Sequence, residues 1–270
     1  MSVVTLSFQA CLSIMHQPAP FVVEVDGFTK NYGGFAAVHE LSFAVKPGEI
    51  VGLVGANGAG KTTTLRAISG ILRPTHGAIR LNGFDIEKQP IAAKHQFAFI
   101  PDTVHPYDLL TVTEHLHFIA LTYGIRDAET KYTALLEELE LTDKKDELAS
   151  RLSRGMLQKL ALACAFLREP RVIILDEPLT GLDPRGIRNI KQSIRRRSAQ
   201  GIAFVLSSHL LMLVEALCDK VLILHRGRKM AFGTLEAIRD LATVHDEASL
   251  EEVFFAVTEK EQSPSALVSS

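Results

Sequence analysis

Short and almost wholly apolar runs recur along the chain, and most are followed by segments in which apolar residues return every three or four positions. Four of these runs cover residues 50–54, 97–100, 172–175 and 203–207. Runs of this length without alternation are typical of strands that are buried on both faces of a parallel sheet. The pattern therefore predicts an α/β fold with a mostly parallel sheet at its centre.

The remaining strand signals are less continuous. Residues 21–45 have strand-like apolar positions interrupted by glycines, and residues 78–86 predict one further strand. Residues 221–233 predict a late hairpin that turns at Arg226 and Gly227. The strand signals thus lie on both sides of a long stretch that lacks them.

That stretch, about residues 104–167, has helical periodicity and predicts a helical lobe. Thr111 and Glu114 have the spacing of a capping box, in which each side chain bonds the other's backbone at a helix start. Asp127 opens a second helix, and a third ends before Pro170. The predicted buried face of the second helix consists of Tyr132, Leu135, Leu136 and Leu139.

Other helices are predicted outside this lobe. One begins after residue 60 and extends to about Leu72, where Pro74 ends it. Another covers about residues 184–200, and a short one begins near Thr234. Together with the strands they give the alternation of strand and helix that is expected of an α/β domain.

Composition predicts three parts of the chain. Residues 1–20 form an N-terminal extension that we expect to be flexible, and residues 21–242 form the folded domain. Residues 243–270 form a C-terminal tail. Its last residues, SPSALVSS, have the composition of a linker and are expected to be disordered.

Charge and hydropathy narrow the class of function. The 270 residues carry a net charge of -2, and their one dense basic cluster, Arg195–Arg197, is expected to be a solvated helix face. A nucleic-acid partner would favour a strongly basic face, so none is predicted. No apolar run reaches the ~18 residues that a membrane-spanning helix needs. We therefore expect a soluble chain, for which a second chain would supply any membrane span.

The three cysteines predict neither a disulfide framework nor a zinc site. Cys11, Cys164 and Cys218 lack CxxC spacing and are odd in number. Cys164 lies in an apolar run, where a buried and unreactive thiol is expected. The N-terminus lacks the basic start and the cleavage site of a signal peptide. These features favour a reducing compartment.

A glycine-rich segment directly after the run at 50–54 predicts a phosphate-binding loop. Residues 55–62 fit G-x-x-x-x-G-K-[S/T], whose glycines let successive backbone N–H groups point at phosphate oxygens. The following helix presents its N-terminus to the same charge. Lys61 would bind the β- and γ-phosphates of a nucleotide, and Thr62 would bind Mg²⁺. The predicted nucleotide-binding residues of this segment are Gly55, Ala56, Asn57, Gly58, Ala59, Gly60, Lys61, Thr62 and Thr63.

Two carboxylates end the run at 172–175. A buried strand would hold Asp176 at the carboxyl edge of the sheet, where it can orient the Mg²⁺ ligands. Glu177 follows directly and is placed to polarise an attacking water. Strands often end in acidic residues, so it is the phosphate loop about 115 residues earlier that favours catalytic roles for this pair.

The order of these and three further motifs resembles the ATP-binding cassette (ABC) ATPases. The motifs are the phosphate loop, Leu152–Met156, Asp176 with Glu177, Gly181–Pro184 and His209. The resemblance covers about residues 21–235. It implies the fold of that family, in which a RecA-like parallel core carries an antiparallel β lobe and an α-helical lobe.

The resemblance also assigns roles to matching positions. Tyr32 resembles the aromatic residue that stacks on adenine, with an ordinary core tyrosine as the alternative. Ser153 and Gly155 resemble the signature motif, which contacts the γ-phosphate bound by the opposite subunit at a helix N-terminus. Asp183 resembles the acidic residue that couples the two sites. His209 resembles the switch histidine, which donates a hydrogen bond to the γ-phosphate.

Two positions depart from the family pattern. Asp102 stands where the family has glutamine, so it could bind Mg²⁺, directly or through water, or act in coupling to a partner. Arg154 lies within the signature segment, where its charge could strengthen the γ-phosphate contact or face solvent. The candidate metal ligands are therefore Thr62, Asp176 and Asp102.

Further segments are similar to the ATPases of bacterial two-component exporters, in particular the Ecs type. They are residues 100–124, LSRGMLQK, CAFLREP and the SLEEVF segment near residue 249. This similarity implies an ATP- and Mg²⁺-dependent ATPase that powers transport, most of all export, through a separate multi-helix permease. It would act at the cytoplasmic face of the membrane as a head-to-tail dimer.

The surface for the permease is expected at residues 103–118, with His105 and Tyr107 exposed, although a solvated loop would have the same pattern. Two alternatives to transport stay open. One is a soluble ABC ATPase of translation or DNA repair, a class that usually carries two cassettes or a coiled-coil insertion. The other is an ATP-dependent regulator that acts on a soluble partner.

Overall fold

A six-stranded sheet lies at the centre of the computed structural model, which describes residues 20–245 and 247–259. Its strands, in spatial order, are β10 (Arg228–Gly233), β9 (Lys220–His225), β3 (Ile50–Val54), β8 (Ala203–Ser207), β7 (Val172–Asp176) and β6 (Phe97–Ile100). All neighbours pair in parallel except β10 and β9, which form the predicted antiparallel hairpin. Strands β3, β7 and β8 are buried along their whole length, as their apolar runs predict.

A second sheet is antiparallel and packs against the first. Its spatial order is β2 (Phe35–Val45), β1 (Val23–Tyr32), β4 (His76–Leu81) and β5 (Phe84–Asp85). Side chains of both sheets, among them Phe28, Leu41 and Leu53, belong to one buried apolar cluster, which also contains Leu65 of helix α1 (Lys61–Ile68). The predicted combination of a parallel core with an antiparallel β lobe is thus confirmed.

Helix α1 is shorter than predicted. It ends at Ile68, not near Leu72, because Gly70 adopts a φ of +66° and turns the chain. The N–H groups of Ile71 and Leu72 both donate back to the carbonyl of Arg66. A glycine at positive φ is a common helix terminator, and here it acts before Pro74 is reached.

Residues 78–86 were predicted as one strand, and this prediction is wrong. They contain the end of β4 and the whole of β5, joined by a turn at Asn82 and Gly83, whose φ values are +49° and +83°. Asn-Gly with two positive φ values is the favoured two-residue hairpin turn. A short helix that was not predicted, α2 (Pro90–Gln96), follows and leads into β6.

The helical lobe consists of α3 (Val112–Tyr123), α4 (Ala128–Glu138) and α5 (Arg154–Leu167), with single 3₁₀ turns at Thr142–Lys144 and Ala149–Arg151. The capping box at the start of α3 is confirmed, since Thr111 Oγ1 accepts from the N–H of Glu114 and Glu114 Oε2 accepts from the N–H of Thr111. The predicted apolar face of α4 is buried. The lobe packs on the central sheet chiefly through α5, which contacts β6.

Four further helices lie in the described part of the chain: α6 (Pro184–Ala199), α7 (Leu211–Leu217), α8 (Leu235–Ala242) and α9 (Leu250–Glu259). Helix α8 begins directly after Thr234, as predicted, and the Thr234 hydroxyl accepts from the N–H of Ala237. Helix α9 lies within the predicted tail and packs on α7 and α8 through Leu250 and Val253. The domain boundaries themselves stay predictions, and residues 1–19 and 260–270 lie outside the described ranges.

A partly buried carboxylate joins the helical lobe to the core. Glu138, at the end of α4, accepts hydrogen bonds from the Arg197 guanidinium at 2.6 and 3.0 Å and from the Ser193 hydroxyl, both on α6. The same guanidinium lies 3.7 Å from the centroid of the Phe166 ring. The predicted solvated face is therefore wrong for Arg197, whose side chain is 12% exposed. Burial raises the pKa of Glu138, but its hydrogen bonds with Arg197 and Ser193 lower the pKa by more than burial raises it. The pKa of Glu138 therefore lies below its usual range.

Two of the three cysteines lie in the described part of the chain. The thiols of Cys164 and Cys218 are free, and burial raises the pKa of Cys164 to about 12 and also raises that of Cys218. Both thiols are therefore poor nucleophiles. Cys11 lies outside the described residues. Among the described helices, none combines the length and the apolar character that a membrane span requires.

Glu138→Gln should lower the free energy of unfolding by about 1–3 kcal/mol near neutral pH, because the partly buried Arg197 then lacks a counter-charge. The folded-state pKa of Glu138 lies below its unfolded value. Its contribution is therefore present above about pH 4.5 and is lost as the pH falls through the folded pKa. Urea unfolding of both proteins, at neutral pH and at the lowest pH that both tolerate, should show the difference shrinking in acid.

The matched control is Glu137→Gln, one residue away on the exposed side of α4, which should leave the unfolding free energy nearly unchanged. Equal destabilisation by the two variants would contradict the structural role of Glu138.

Candidate functional site

The turn between β3 and α1 has the geometry of an anion-binding loop. Gly58 and Gly60 adopt φ values of +79° and +104°, which favour glycine. A Cβ at Gly55 would stand 2.5 Å from the carbonyl oxygen of Leu224, so the loop also needs glycine for close packing. Within the described residues, the backbone N–H groups of Gly58 and Gly60 donate to no other group. They are therefore available to a bound anion.

Lys61 is the first residue of α1 and is buried beneath this loop. Its ammonium group donates to the carbonyl oxygens of Gly55 at 2.6 Å and Ala56 at 3.2 Å. Burial lowers the pKa of Lys61, and the nearby carboxylates of Glu177 and Asp176 oppose that shift. A phosphate in the loop would offer the ammonium charged acceptors, and charge-assisted hydrogen bonds are stronger than those to neutral carbonyls.

Asp176 is buried at the carboxyl end of β7, and the neighbouring strand holds it there. The hydroxyl of Ser207, at the end of β8, donates to Asp176 Oδ1 at 2.6 Å, and the Thr62 hydroxyl lies 3.4 Å from the same oxygen. Ser207 Oγ also accepts from the N–H of Glu177 at 3.1 Å. Sequence reasoning missed Ser207. Its polar position at the end of an apolar run, two residues before His209, was the available signal.

Glu177 and His209 form a hydrogen-bonded pair. His209 Nδ1 lies 2.9 Å from Glu177 Oε2, and because a carboxylate can only accept, Nδ1 must carry the proton. In the neutral ring the other nitrogen, Nε2, then bears a lone pair and can only accept a hydrogen bond. Glu177 has a φ of +51°, a left-handed conformation that costs about 1–3 kcal/mol for residues other than glycine and that clusters at functional sites.

A cavity of about 780 Å³ brings together most of the predicted residues. Those that line it are Tyr32, Asn57, Gly58, Ala59, Gly60, Lys61, Thr62, Thr63, Asp102, Asp176 and Glu177. Phe35 and Arg66 line it as well and were not predicted. In the described part of the chain, five predicted residues lie outside this lining: Gly55, Ala56, Ser153, Gly155 and His209.

Tyr32 lies at the rim of the cavity, at the hairpin between β1 and β2. Its side chain is 51% exposed, so the alternative of a core tyrosine does not apply. Phe35, across the same hairpin, is also exposed, and the ammonium of Lys30 lies 5.2 Å from the Tyr32 ring centroid. Exposed ring faces of this kind can stack on a flat heterocycle.

The signature segment lies at the start of α5. Ser153 caps this helix, and its hydroxyl accepts from the N–H of Met156 at 3.4 Å. A Cβ at Gly155 would stand 3.0 Å from the carbonyl oxygen of Gly181, so the start of α5 packs closely on the segment after β7. Asp183, the predicted coupling residue, caps α6 by accepting from the N–H of Gly186.

The two departures from the family pattern contact each other. Arg154 Nη2 donates to Asp102 Oδ1 at 2.9 Å, and the two side chains are 58% and 48% exposed. Arg154 therefore does not simply face solvent. Asp102 lines the cavity, while its carboxylate is engaged by a residue of the helical lobe.

The cavity fits a nucleoside triphosphate with Mg²⁺. The unpaired N–H groups of the loop, Lys61 and the N-terminus of α1 together suit a polyphosphate. The Thr62 hydroxyl and the Asp176 carboxylate are oxygen donors of the kind that Mg²⁺ prefers. Within residues 20–245 and 247–259, no group of three or more His, Cys, Asp or Glu converges on a metal site. Mg²⁺ would therefore need further oxygens from the nucleotide and from water.

Comparison with known proteins gives consistent matches. Residues 38–180 match the family described as ABC transporter. The chain is 36% identical over 237 residues to the ABC-type transporter ATP-binding protein EcsA of Bacillus subtilis (strain 168), covering 87% of this chain and 94% of that protein. It is 38% identical over 218 residues to the Nod factor export ATP-binding protein I of Paraburkholderia xenovorans (strain LB400), covering 80% and 72%.

A solved structure agrees with these sequence matches. It is described as the ATP binding subunit of an ABC transporter and aligns with a TM-score of 0.84 at 38% identity, covering 88% of this chain and 99% of that one. The family match includes the phosphate loop, the signature segment and the acidic end of β7. The chain therefore belongs to the ABC transporter family, as an ATP-binding subunit that hydrolyses ATP and is similar to the Ecs type.

Proposed function

We propose that this chain powers export by a separate membrane-embedded permease, and that it works as a head-to-tail dimer at the cytoplasmic face of the membrane. The observation that carries this proposal is an exposed apolar surface on the helical lobe, directly after the segment that lines the nucleotide cavity. The relatives named as a Nod factor export protein and as EcsA support a transport role.

In the proposed hydrolysis, each residue acts through its position. The loop N–H groups and Lys61 bind the phosphates, and Thr62 and Asp176 hold Mg²⁺, which neutralises charge as the phosphoryl group is transferred. Glu177 aligns the attacking water and accepts its proton. His209 donates from Nδ1 to Glu177, which fixes the orientation of both side chains, and a second proton on the ring would let Nε2 donate to the γ-phosphate.

The position of the signature residues supports the proposed dimer. Ser153 and Gly155 do not line the cavity within the described chain, although they begin a helix whose N-terminus suits an anion. In a head-to-tail dimer each start of α5 would close the cavity of the other subunit. ATP binding would then bring the subunits together, and hydrolysis would release them.

The permease surface lies on residues 103–118 and continues along α3. Tyr107, Leu109, Phe118 and Leu121 are all exposed, with Leu109 at 84%. The Tyr107 ring packs edge-on against the Phe118 ring, with 5.5 Å between the ring centroids. The backbone N–H of Tyr107 donates to His115 Nε2. Exposed apolar side chains that lie together often mark protein interaction sites. They favour a docking surface over the alternative of a solvated loop.

A groove between the core and the helical lobe lies next to this surface. It has a volume of about 340 Å³ and is lined mainly by apolar residues of β6, α3 and α5. Since β6 leads directly to Asp102 and the nucleotide cavity, a permease segment in this groove would contact both the core and the helical lobe. This arrangement provides a short mechanical path from the ATP site to the partner.

Glu177→Gln should retain ATP binding, lose most of the turnover, and trap an ATP-bound dimer, because the amide keeps the shape of the side chain without its basicity. Size-exclusion chromatography with ATP would detect the dimer, and phosphate release would measure turnover. Turnover at the wild-type rate would remove Glu177 from this role.

Lys61→Ala should raise the Kd for ATP by at least about tenfold, because the ammonium group neutralises phosphate charge in the bound state. Isothermal titration calorimetry of the isolated protein measures this directly. Unchanged affinity would contradict the assignment of the loop and the cavity as the nucleotide site.

Leu109→Asp should abolish co-purification of a multi-helix membrane protein from detergent-solubilised membranes of the source cells, because it places a charge in an apolar contact. The matched control is Leu241→Asp, at an exposed leucine of α8 that lies outside the proposed permease surface. This variant should retain the membrane partner. If the wild-type chain reproducibly co-purified with a soluble protein instead of a membrane protein, that result would favour an ATP-dependent regulator.

A further inference from the structure

The charges that line the nucleotide cavity are not balanced for an anionic ligand. Three carboxylates line it, those of Asp102, Asp176 and Glu177, against two cationic side chains, Lys61 and Arg66. Mg²⁺ can compensate Asp176, and Glu177 is needed as a base. The carboxylate of Asp102 is held by Arg154, and if it were left unpaired it would repel phosphate oxygens nearby.

Arg154 supplies a positive charge to this carboxylate from outside the cavity. Its Nη2 lies 2.9 Å from Asp102 Oδ1, and in the described part of the chain Asp102 is its only ion-pair partner. The two residues are 52 positions apart and belong to different lobes. The pair as a whole is electrically neutral.

The position of Arg154 is unfavourable for a cation as far as its own helix is concerned. It is the first residue of α5, where a cation opposes the helix dipole, and the first turn of α5 contains no acidic residue. Its aliphatic stem is held against the chain after β7, since a Cβ at Gly181 would stand 3.2 Å from Arg154 Cδ. This contact directs the guanidinium toward Asp102. The Asp102 carboxylate in turn supplies a negative charge near the N-terminus of α5.

We propose that Arg154 is a positioning residue of the nucleotide site that acts within its own subunit: it neutralises Asp102, so that an anionic nucleotide can bind beside a carboxylate. The inference rests on the proposed nucleotide site. It gives Arg154 a role in the nucleotide affinity of the isolated subunit, although Arg154 does not line the cavity.

The test is the affinity for ADP, measured by isothermal titration calorimetry on the full chain in EDTA. ADP lacks the γ-phosphate that a second subunit would contact, and EDTA removes any effect through the metal. Arg154→Ala should raise the Kd for ADP about three- to tenfold at low salt. Because the effect is electrostatic, it should shrink in concentrated salt.

Two further variants identify Asp102 as the cause. In the double variant Arg154→Ala/Asp102→Asn the Kd should return to about the wild-type value, because no unpaired carboxylate remains. Arg154→Lys should stay close to wild type, because it keeps the charge. Arg151→Ala is the matched control: Arg151 is an exposed arginine of the preceding turn, paired with Glu147, and its loss should not change the Kd.

Two results would overturn the inference. One is an unchanged Kd in Arg154→Ala, and the other is a double variant that binds as weakly as Arg154→Ala alone. Failure of the proposed function would look different. In that case the wild-type protein would not bind ADP, or Lys61→Ala would bind it as well as the wild type does.

Discussion

An aspartate buried at the end of a strand must be hydrogen-bonded, and the position of Asp176 depends on how this requirement is met. The Ser207 hydroxyl reaches it from β8, and the Thr62 hydroxyl reaches it from α1. Strands β7 and β8 and the start of α1 are thereby fixed around one oxygen atom. The phosphate loop precedes α1 and Glu177 follows Asp176, so the geometry of both depends on the same point.

Features that depend on local spacing could be predicted from the sequence. The phosphate loop, the acidic end of β7 and the capping box of α3 each lie within a few consecutive residues, and the structure has the loop, strand and helix start that these patterns require. The parallel core could be predicted because a strand buried on both faces needs an uninterrupted apolar run. The roles of the individual site residues remain predictions.

Features that depend on distant neighbours could not be predicted. The pairing of Asp102 with Arg154, the burial of Arg197 against Phe166 and the role of Ser207 all require knowledge of which elements pack together. The errors had a different origin. Apolar periodicity continues past Ile68, but the turn at Gly70 ends α1. Asn82-Gly83 is a hairpin signal that lies inside a run of strand-forming residues, and the run favours a single strand.

The left-handed backbone of Glu177 restricts what evolution can place at this position. Asparagine, aspartate and above all glycine adopt that conformation most easily, while β-branched residues are excluded by their own side chains. Glycine would relieve the strain but remove the carboxylate, so if Glu177 is the proposed base, folding stability and hydrolysis favour different residues here. A more stable residue at this position would then yield a subunit that binds ATP and does not hydrolyse it.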